Sequence, residues 1–246
     1  SKWCAQKLED MILAEGPETV GAFIAEPVMG AGGVIIPPEG YFPEIQKVLR
    51  KYDVLMIADE VITGFGRLGR AFAAEYFGVT PVMRTMAKGL TSGYVPMGAV
   101  ATDNKIYQAF MDESPDGIEL FHGYTYSAHP LACAAAMATL EVYQEEGLFQ
   151  RAADISPYWQ DAVHSMQGLP NVIDIRNIGL VAGIELAPRE GAPGKRGMEA
   201  CVKAYEAGLM VRVTGDIIAL SPPLVLEKEH INKMVEITSD VIRALD

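Results

Sequence analysis

The chain has 246 residues, a formal net charge of −12, 50% hydrophobic and 21% charged residues. Its length admits one or two globular domains, and its acidity, with no basic stripe, argues against nucleic acid as the main partner. Three cysteines, Cys4, Cys133 and Cys201, odd in number and without a C-x-x-C spacing, argue against a disulfide framework or a zinc site and suit a reducing, cytoplasmic setting; no run reaches the roughly 18 apolar residues of a membrane span.

Residues 2–15, "KWCAQKLEDMILAE", place Trp3, Leu8 and Ile12 on one side of an amphipathic helix, without the apolar core of a signal peptide. "VGAFIAEP" is a short apolar run closed by Glu-Pro and predicts a buried strand. "GYFPEIQKVLRKY" predicts a helix, "DVLMIADE" a second buried strand, and "VMRTMA" and "MGAVAT" two more. "SAHPLACAAAMATLEVYQEEGL" predicts a long helix, with Pro130 in its first turn and Gly147 at its end. Apolar strands alternating with helices imply an α/β domain with a largely parallel sheet.

Beyond about residue 150 the texture changes. "ADISPYWQDAVHSMQGL" is helical, "VIDIRNIGLVAGIELA" reads as two strands about a turn at residues 177–179, and "GAPGKRG" reads as a flexible loop. "GMEACVKAYEAG" is a helix, "LMVRVTGDIIALSPPL" a strand pair, and "EKEHINKMVEITSDVIRAL" a closing amphipathic helix. This α+β pattern sets a domain boundary at 150, giving domains 1–150 and 151–246. There is no internal repeat or low-complexity segment.

The first candidate site is "MIADEVITGFGRLG". Asp59 and Glu60 stand where an apolar strand runs out, and in open parallel sheets the carboxyl ends of strands face the ligand crevice. Such an acid either caps the following turn or holds a cation or a protonated ring nitrogen. Gly64, Gly66 and Gly69 match G-x-G-x-x-G, but Val61-Ile62-Thr63 separate them from the strand. About 20 residues further on, where a dinucleotide site needs an acid, the chain reads "AKGL".

The second candidate is Lys88 in "TMAKGLTSGYVPMGAV", the lone charge among small and apolar residues. It is either a surface lysine whose stem lies along the protein, or an amine stripped of water that becomes a nucleophile towards carbonyls. Placed after the strand that follows Asp59, it can share a crevice with that acid. A lysine beside a strand-end aspartate suggests a Schiff base to pyridoxal phosphate, with the acid on the pyridine nitrogen.

At these residues a family resemblance emerges. "FIAEPVMGAGG", "PPEGYFPEIQKVLRKYDVLMIADEVITGFGR", "MAKGLTSGYVPMGAV" and "HGYTYSAHPLACAAAMATL" together resemble the class III (omega-type) pyridoxal-phosphate-dependent aminotransferases, over nearly the whole chain. The resemblance implies a PLP fold type I protein of α/β class. Residues 1–150 would be part of the large cofactor domain and 151–246 a small α+β domain. It implies that Lys88 carries the cofactor covalently and moves the substrate proton. Asp59 would pair with the ring nitrogen, and Val61 would pack on the ring. Thr125, with Tyr124 beside it, would reach a cofactor phosphate across a homodimer interface; a hydroxyl and a backbone N–H both suit phosphate.

Arg212, alone in an apolar strand, is either a structural ion pair or a carboxylate clamp, and the resemblance favours the clamp. Ornithine- and γ-aminobutyrate-type relatives read G-E-G-G or S-E-G-G where this chain reads "GAGG". Their glutamate masks the arginine; Ala31 does not, which suits the branch that passes an amino group from ω-amino acids or amines to pyruvate. His122 and His129 are read as packing and turn residues, and His164 and His230 receive no role. Val82 and Arg84 depart from the family pattern and put local packing in question.

Relatives carry a further N-terminal half. The resemblance therefore implies a C-terminal portion, not competent as an enzyme by itself. Alternative readings are an aminomutase or decarboxylase on the same fold, or a nonenzymatic binding protein that has kept it.

Overall fold

The structure, a computed structural model, describes residues 1–112, 120 and 122–246. They form two compact units, the first of residues 1–27, 37–65 and 72–146, the second of residues 28–36, 66–71 and 147–246. Two short segments of the earlier sequence, 28–36 and 66–71, thus pack with the later one.

The first unit opens with α1 (Lys2–Glu15), followed by β1 (Ala22–Ala25), α2 (Tyr41–Lys51), β2 (Leu55–Asp59) and the short α3 (Ala73–Tyr76). Next come β3 (Met83–Met86), a 3-10 turn (Lys88–Leu90), β4 (Ala99–Thr102), α4 (Asn104–Asp112) and α5 (Pro130–Glu145). The strands lie in the order β1-β2-β3-β4; the first three are parallel and β4 runs antiparallel to β3. The sheet is therefore mixed, an α/β architecture.

In α2 the apolar residues Phe42, Ile45, Val48 and Leu49 recur at helical spacing and are buried with Ala5 and Ile12 of α1 and Met56 of β2. Each large apolar side chain buried this way contributes about 1.5–3 kcal/mol. Glu9 of α1 accepts hydrogen bonds from Lys51 Nζ (2.6 Å) and Tyr52 Oη (2.7 Å), tying α1 to the end of α2. The helices α3 and α4 were not expected from the sequence. A helix of four residues leaves no usable periodicity, and the first amides of α3 are capped by a carboxylate 13 and 14 residues earlier in the chain.

The second unit contains α6 (Leu148–His164), β5 (Val172–Ile178), β6 (Val181–Leu186), α7 (Lys195–Glu206), β7 (Arg212–Thr214), β8 (Ile217–Leu220) and α8 (Lys228–Arg243). Its sheet is antiparallel, in the order β5-β6-β8-β7. Trp159, Leu180, Ile184, Leu186, Ile218, Leu220, Ile231 and Ile242 fill the core.

Two expectations need correction. Helix α6 starts at Leu148, before the expected residue 153, with Gly147 at its N-cap in a left-handed conformation of φ 59°. "GAPGKRG" is a loop only over its first four residues: Lys195, Arg196 and Gly197 already belong to α7. The Asp216 carboxylate accepts N–H bonds from Gly194 (2.6 Å) and Gly197 (2.8 Å), and buried Arg196 donates to the carbonyls of Ala187 and Asp246. Among the described residues no helix is long and apolar enough to cross a membrane.

Candidate active site

Strands β2 and β3 are parallel neighbours, and Asp59 stands opposite Thr85 at their carboxyl ends. Three residues after Thr85 the chain enters the Lys88–Leu90 turn. Asp59 and Lys88 therefore leave adjoining strand ends of one sheet.

The two acids of "DE" divide their work. Asp59 is half-buried, and its Oδ1 accepts the N–H of Val61 at 3.1 Å, which fixes the carboxylate over the following turn. Oδ2 makes no hydrogen bond among the described residues. Glu60 is fully buried; it accepts bonds from Thr63 Oγ1 (2.6 Å), Ala73 N (3.0 Å) and Ala74 N (2.7 Å). The last two are the unpaired amides at the start of α3. The turn-capping role thus falls to Glu60, leaving Asp59 able to act on something else. Thr85 Oγ1, on the strand facing Asp59, is buried without a hydrogen-bond partner among the described residues.

Lys88 takes a left-handed φ of 44°, a conformation that costs a non-glycine residue about 1–3 kcal/mol. Its side chain is exposed, with no hydrogen bond or ion pair among the described residues. The sequence expectation of a lysine stripped of water is not met by these residues. Leu90 turns inward, 7% exposed, and the lysine turns outward. Arg84, the other unusual charge, is accommodated in β3. Its strand neighbours are Ala58 and Ala101, and its guanidinium lies 4.7 Å from the centroid of Phe72, a cation–π contact.

Thr125 and Tyr124 are exposed in the turn before α5. Ser127 N–H donates to Tyr124 O at 2.9 Å, and Tyr124 N–H donates to Ser127 Oγ at 3.2 Å, so this amide is already engaged within the turn. A cavity of about 400 Å³ is lined by Val95, Pro96, Met97, Tyr124, Tyr126 and Ser127, among others. His129 Nδ1 accepts the N–H of Leu131 and caps α5, a turn role; His230, given no role from sequence, caps α8 through Glu227 N–H.

In the second unit, Ala31 and Arg212 are linked through one residue. Thr214, two residues after Arg212 on β7, donates its hydroxyl to Ala31 O at 2.9 Å. Arg176 of β5 holds the same loop, donating to Gly33 O (2.6 Å) and Val34 O (3.0 Å) while pairing with Asp174 and Glu185. Burial opposes the charge of Arg176, but the bonds to Glu185 and Asp174 outweigh it and raise its pKa. Arg212 is exposed and forms no ion pair among the described residues, so the structural ion-pair alternative finds no support.

Thr214 and Arg176 were missed from sequence; that a strand-end acid caps the following turn was one of the expected readings, and the structure assigns that role to Glu60. The partners of Ala31 and Gly33 lie 183 and 143 residues away, and no local pattern encodes them.

Residues 1–242 match the model of the family described as aminotransferase class-III. The chain belongs to the class-III aminotransferases. It is 57% identical over 242 residues to the omega-aminotransferase of Caulobacter vibrioides, covering 98% of this chain and 55% of that protein. It is 40% identical to the beta-alanine–pyruvate aminotransferase of Pseudomonas aeruginosa, covering 98% and 54%. Among solved structures it matches the omega transaminase from Pseudomonas jessenii in complex with PMP, with TM-score 0.94 and 41% identity, covering 98% of this chain and 54% of that one. The chain thus spans about half the length of these relatives. Membership of the class-III aminotransferases, with that structural likeness, gives the fold as PLP-dependent fold type I.

The same match removes the dinucleotide reading of "GFGRLG" in this class-III chain. Gly66 and Gly69 have positive φ and pack against Phe149 and Ala153, where a side chain would clash at 2.6 and 2.7 Å.

Proposed function

We propose that this chain is part of a pyridoxal-phosphate-dependent transaminase, which moves an amino group from an ω-amino acid or amine to a keto acid, with pyruvate as the acceptor. The observation that carries the reading is the placement of Asp59 and Lys88 at adjoining ends of parallel strands, one acid fixed and one amine free. The cofactor fits this donor set: Asp59 has an unengaged carboxylate oxygen for a protonated ring nitrogen, and Lys88 has an accessible amine for an aldehyde.

Bound pyridoxal phosphate supplies a protonated ring that draws electrons from the amine-bearing carbon. Asp59 would hold the ring nitrogen through a charge-assisted bond that favours its protonated form, and Val61, fixed by its N–H bond to Asp59, would lie against the ring. Lys88 would hold the cofactor through its Nζ, and the same amine would serve as the acid–base group that takes and returns the substrate proton. Arg212 grips the carboxylate of the keto acid with its planar fork. Ala31, lacking a carboxylate, leaves that fork unmasked. Residues 1–150 are assigned to the large cofactor domain and 151–246 to the small domain, apart from segments 28–36, 66–71 and 147–150, which pack with the second unit. Thr125, with Tyr124, serves the cofactor phosphate of a second subunit in a homodimer, and three unpaired cysteines suit a reducing cytoplasm. The pyruvate assignment draws support from the name of the Pseudomonas aeruginosa relative.

The deciding experiment is borohydride reduction of the purified holoprotein followed by peptide mapping. The pyridoxyl label is expected on Lys88; a label on another lysine overturns the reading. Asp59→Asn keeps the shape and removes the charge. It is expected to retain the label and lower kcat by about 10–150-fold, the equivalent of one charge-assisted hydrogen bond of roughly 1.5–3 kcal/mol. Arg212→Lys keeps the charge but not the fork. KM for pyruvate is expected to rise about tenfold, while KM for a carboxylate-free amine stays unchanged; equal changes in both would remove the clamp assignment.

A further inference from the structure

The left-handed backbone at Lys88 must be held by its surroundings, and the first unit contains a grip on the very next residue. Tyr143, on α5 and 54 residues away, donates its hydroxyl to Gly89 O at 2.7 Å. Its ring stacks on Phe65, with centroids 6.1 Å apart and planes inclined by 18°. Phe65 in turn lies against Gly89: a Cβ at that position would stand 2.9 Å from Phe65 Cβ. Gly89, the residue after Lys88, is thus held at its carbonyl by a hydroxyl and at its Cα by Phe65. Beyond it the turn closes on itself, through Leu90 N–H to Ala87 O (3.0 Å), Thr91 N–H to Lys88 O (3.3 Å) and Thr91 Oγ1 to Val95 O (2.6 Å).

We infer that Tyr143 is a positioning residue for Lys88: its hydroxyl fixes the Gly89 carbonyl and, through it, the direction in which the lysine leaves the sheet. The inference rests on the assignment of Lys88 as the cofactor lysine. A strained residue relaxes when a restraint is removed, and here relaxation re-aims the side chain that must meet the cofactor. Tyr143 acts through Gly89.

Tyr143→Phe keeps the ring on Phe65 and deletes only the hydroxyl. In the cofactor-free protein, amide exchange at Leu90 and Thr91, relative to amides of β1, is expected to accelerate about fivefold to tenfold, the scale of one net hydrogen bond. In the holoprotein, kcat is expected to fall by a similar factor with KM for both substrates unchanged. The pH midpoint of the cofactor–lysine absorbance is expected to shift, a signature that a purely structural role would not move. Tyr158→Phe, which loses a hydroxyl bond to Asn232 in the second unit, is the control and should change none of these. Label on Lys88 in the parent, together with parent-like exchange, pH midpoint and kcat in Tyr143→Phe, overturns this inference alone. No label on Lys88 in the parent overturns the site assignment, and this inference with it.

Discussion

Lys88→Ala is expected to abolish the borohydride-stable attachment of pyridoxal phosphate and to lower kcat by roughly 100- to 10,000-fold, the range contributed by a positioned acid–base group. Two further substitutions separate the roles that lysine combines. Lys88→Arg preserves the cation and should be as inactive as alanine, because a guanidinium stays protonated and can neither attack an aldehyde nor accept the substrate proton. Lys88→Gly should be equally inactive yet more stable than Lys88→Ala by about 1 kcal/mol, because alanine at a φ of 44° keeps the steric cost that glycine avoids. Activity of Lys88→Ala within tenfold of the parent would reject the lysine as the reacting amine. Equal stability of the alanine and glycine variants would reject the strained backbone.

The second large effect is one of stability. Glu60→Ala is expected to destabilise the first unit by about 3–5 kcal/mol, read as a shift of the urea midpoint. Three donors meet this one buried carboxylate, the Thr63 hydroxyl and the amides of Ala73 and Ala74, and alanine answers none of them. The site is fully enclosed, so water does not readily take the place of the carboxylate. Glu60→Gln keeps one accepting oxygen but turns an N–H₂ towards a donor, and its loss should fall between parent and alanine. Asp59→Asn, one residue away, should behave in the opposite manner, with a small loss of stability and a large loss of turnover. A loss under about 1 kcal/mol for Glu60→Ala would mean that α3 does not depend on its cap.

Adjacent acids with opposite fates show where sequence reasoning stops. The pair at the end of β2 was legible as a site, because an apolar strand that ends in charge is unusual and side-chain types carry chemistry. Which acid caps and which remains available was not. Successive strand residues point to opposite faces, and only the return of the chain to form α3 decides which face is filled. Whether Lys88 is exposed or stripped of water stayed open for a related reason: small, apolar neighbours in sequence say what surrounds a residue along the chain, not what covers it in space. The loop at 28–36 offers the same lesson. Its "GAGG" could be matched to a family pattern, but its attachment to the second sheet depends on Arg176 and Thr214, far away along the chain.

By itself, then, the sequence determined what is local or carried by residue type. This includes the alternation of strands and helices, the amphipathic faces of α2 and α8, and the family through the motifs around Asp59, Lys88 and Thr125; on α1, Ile12 is buried as expected but Trp3 is 71% exposed. The tertiary structure alone decided what depends on long-range closure: the capping of α3 by Glu60, the ordering of Gly194–Gly197 by Asp216, and the grip of Tyr143 on the turn of Lys88. The reason is physical. Periodicity and propensity act over a few residues, whereas a buried polar group is satisfied by whichever partner the fold delivers, at any distance along the chain.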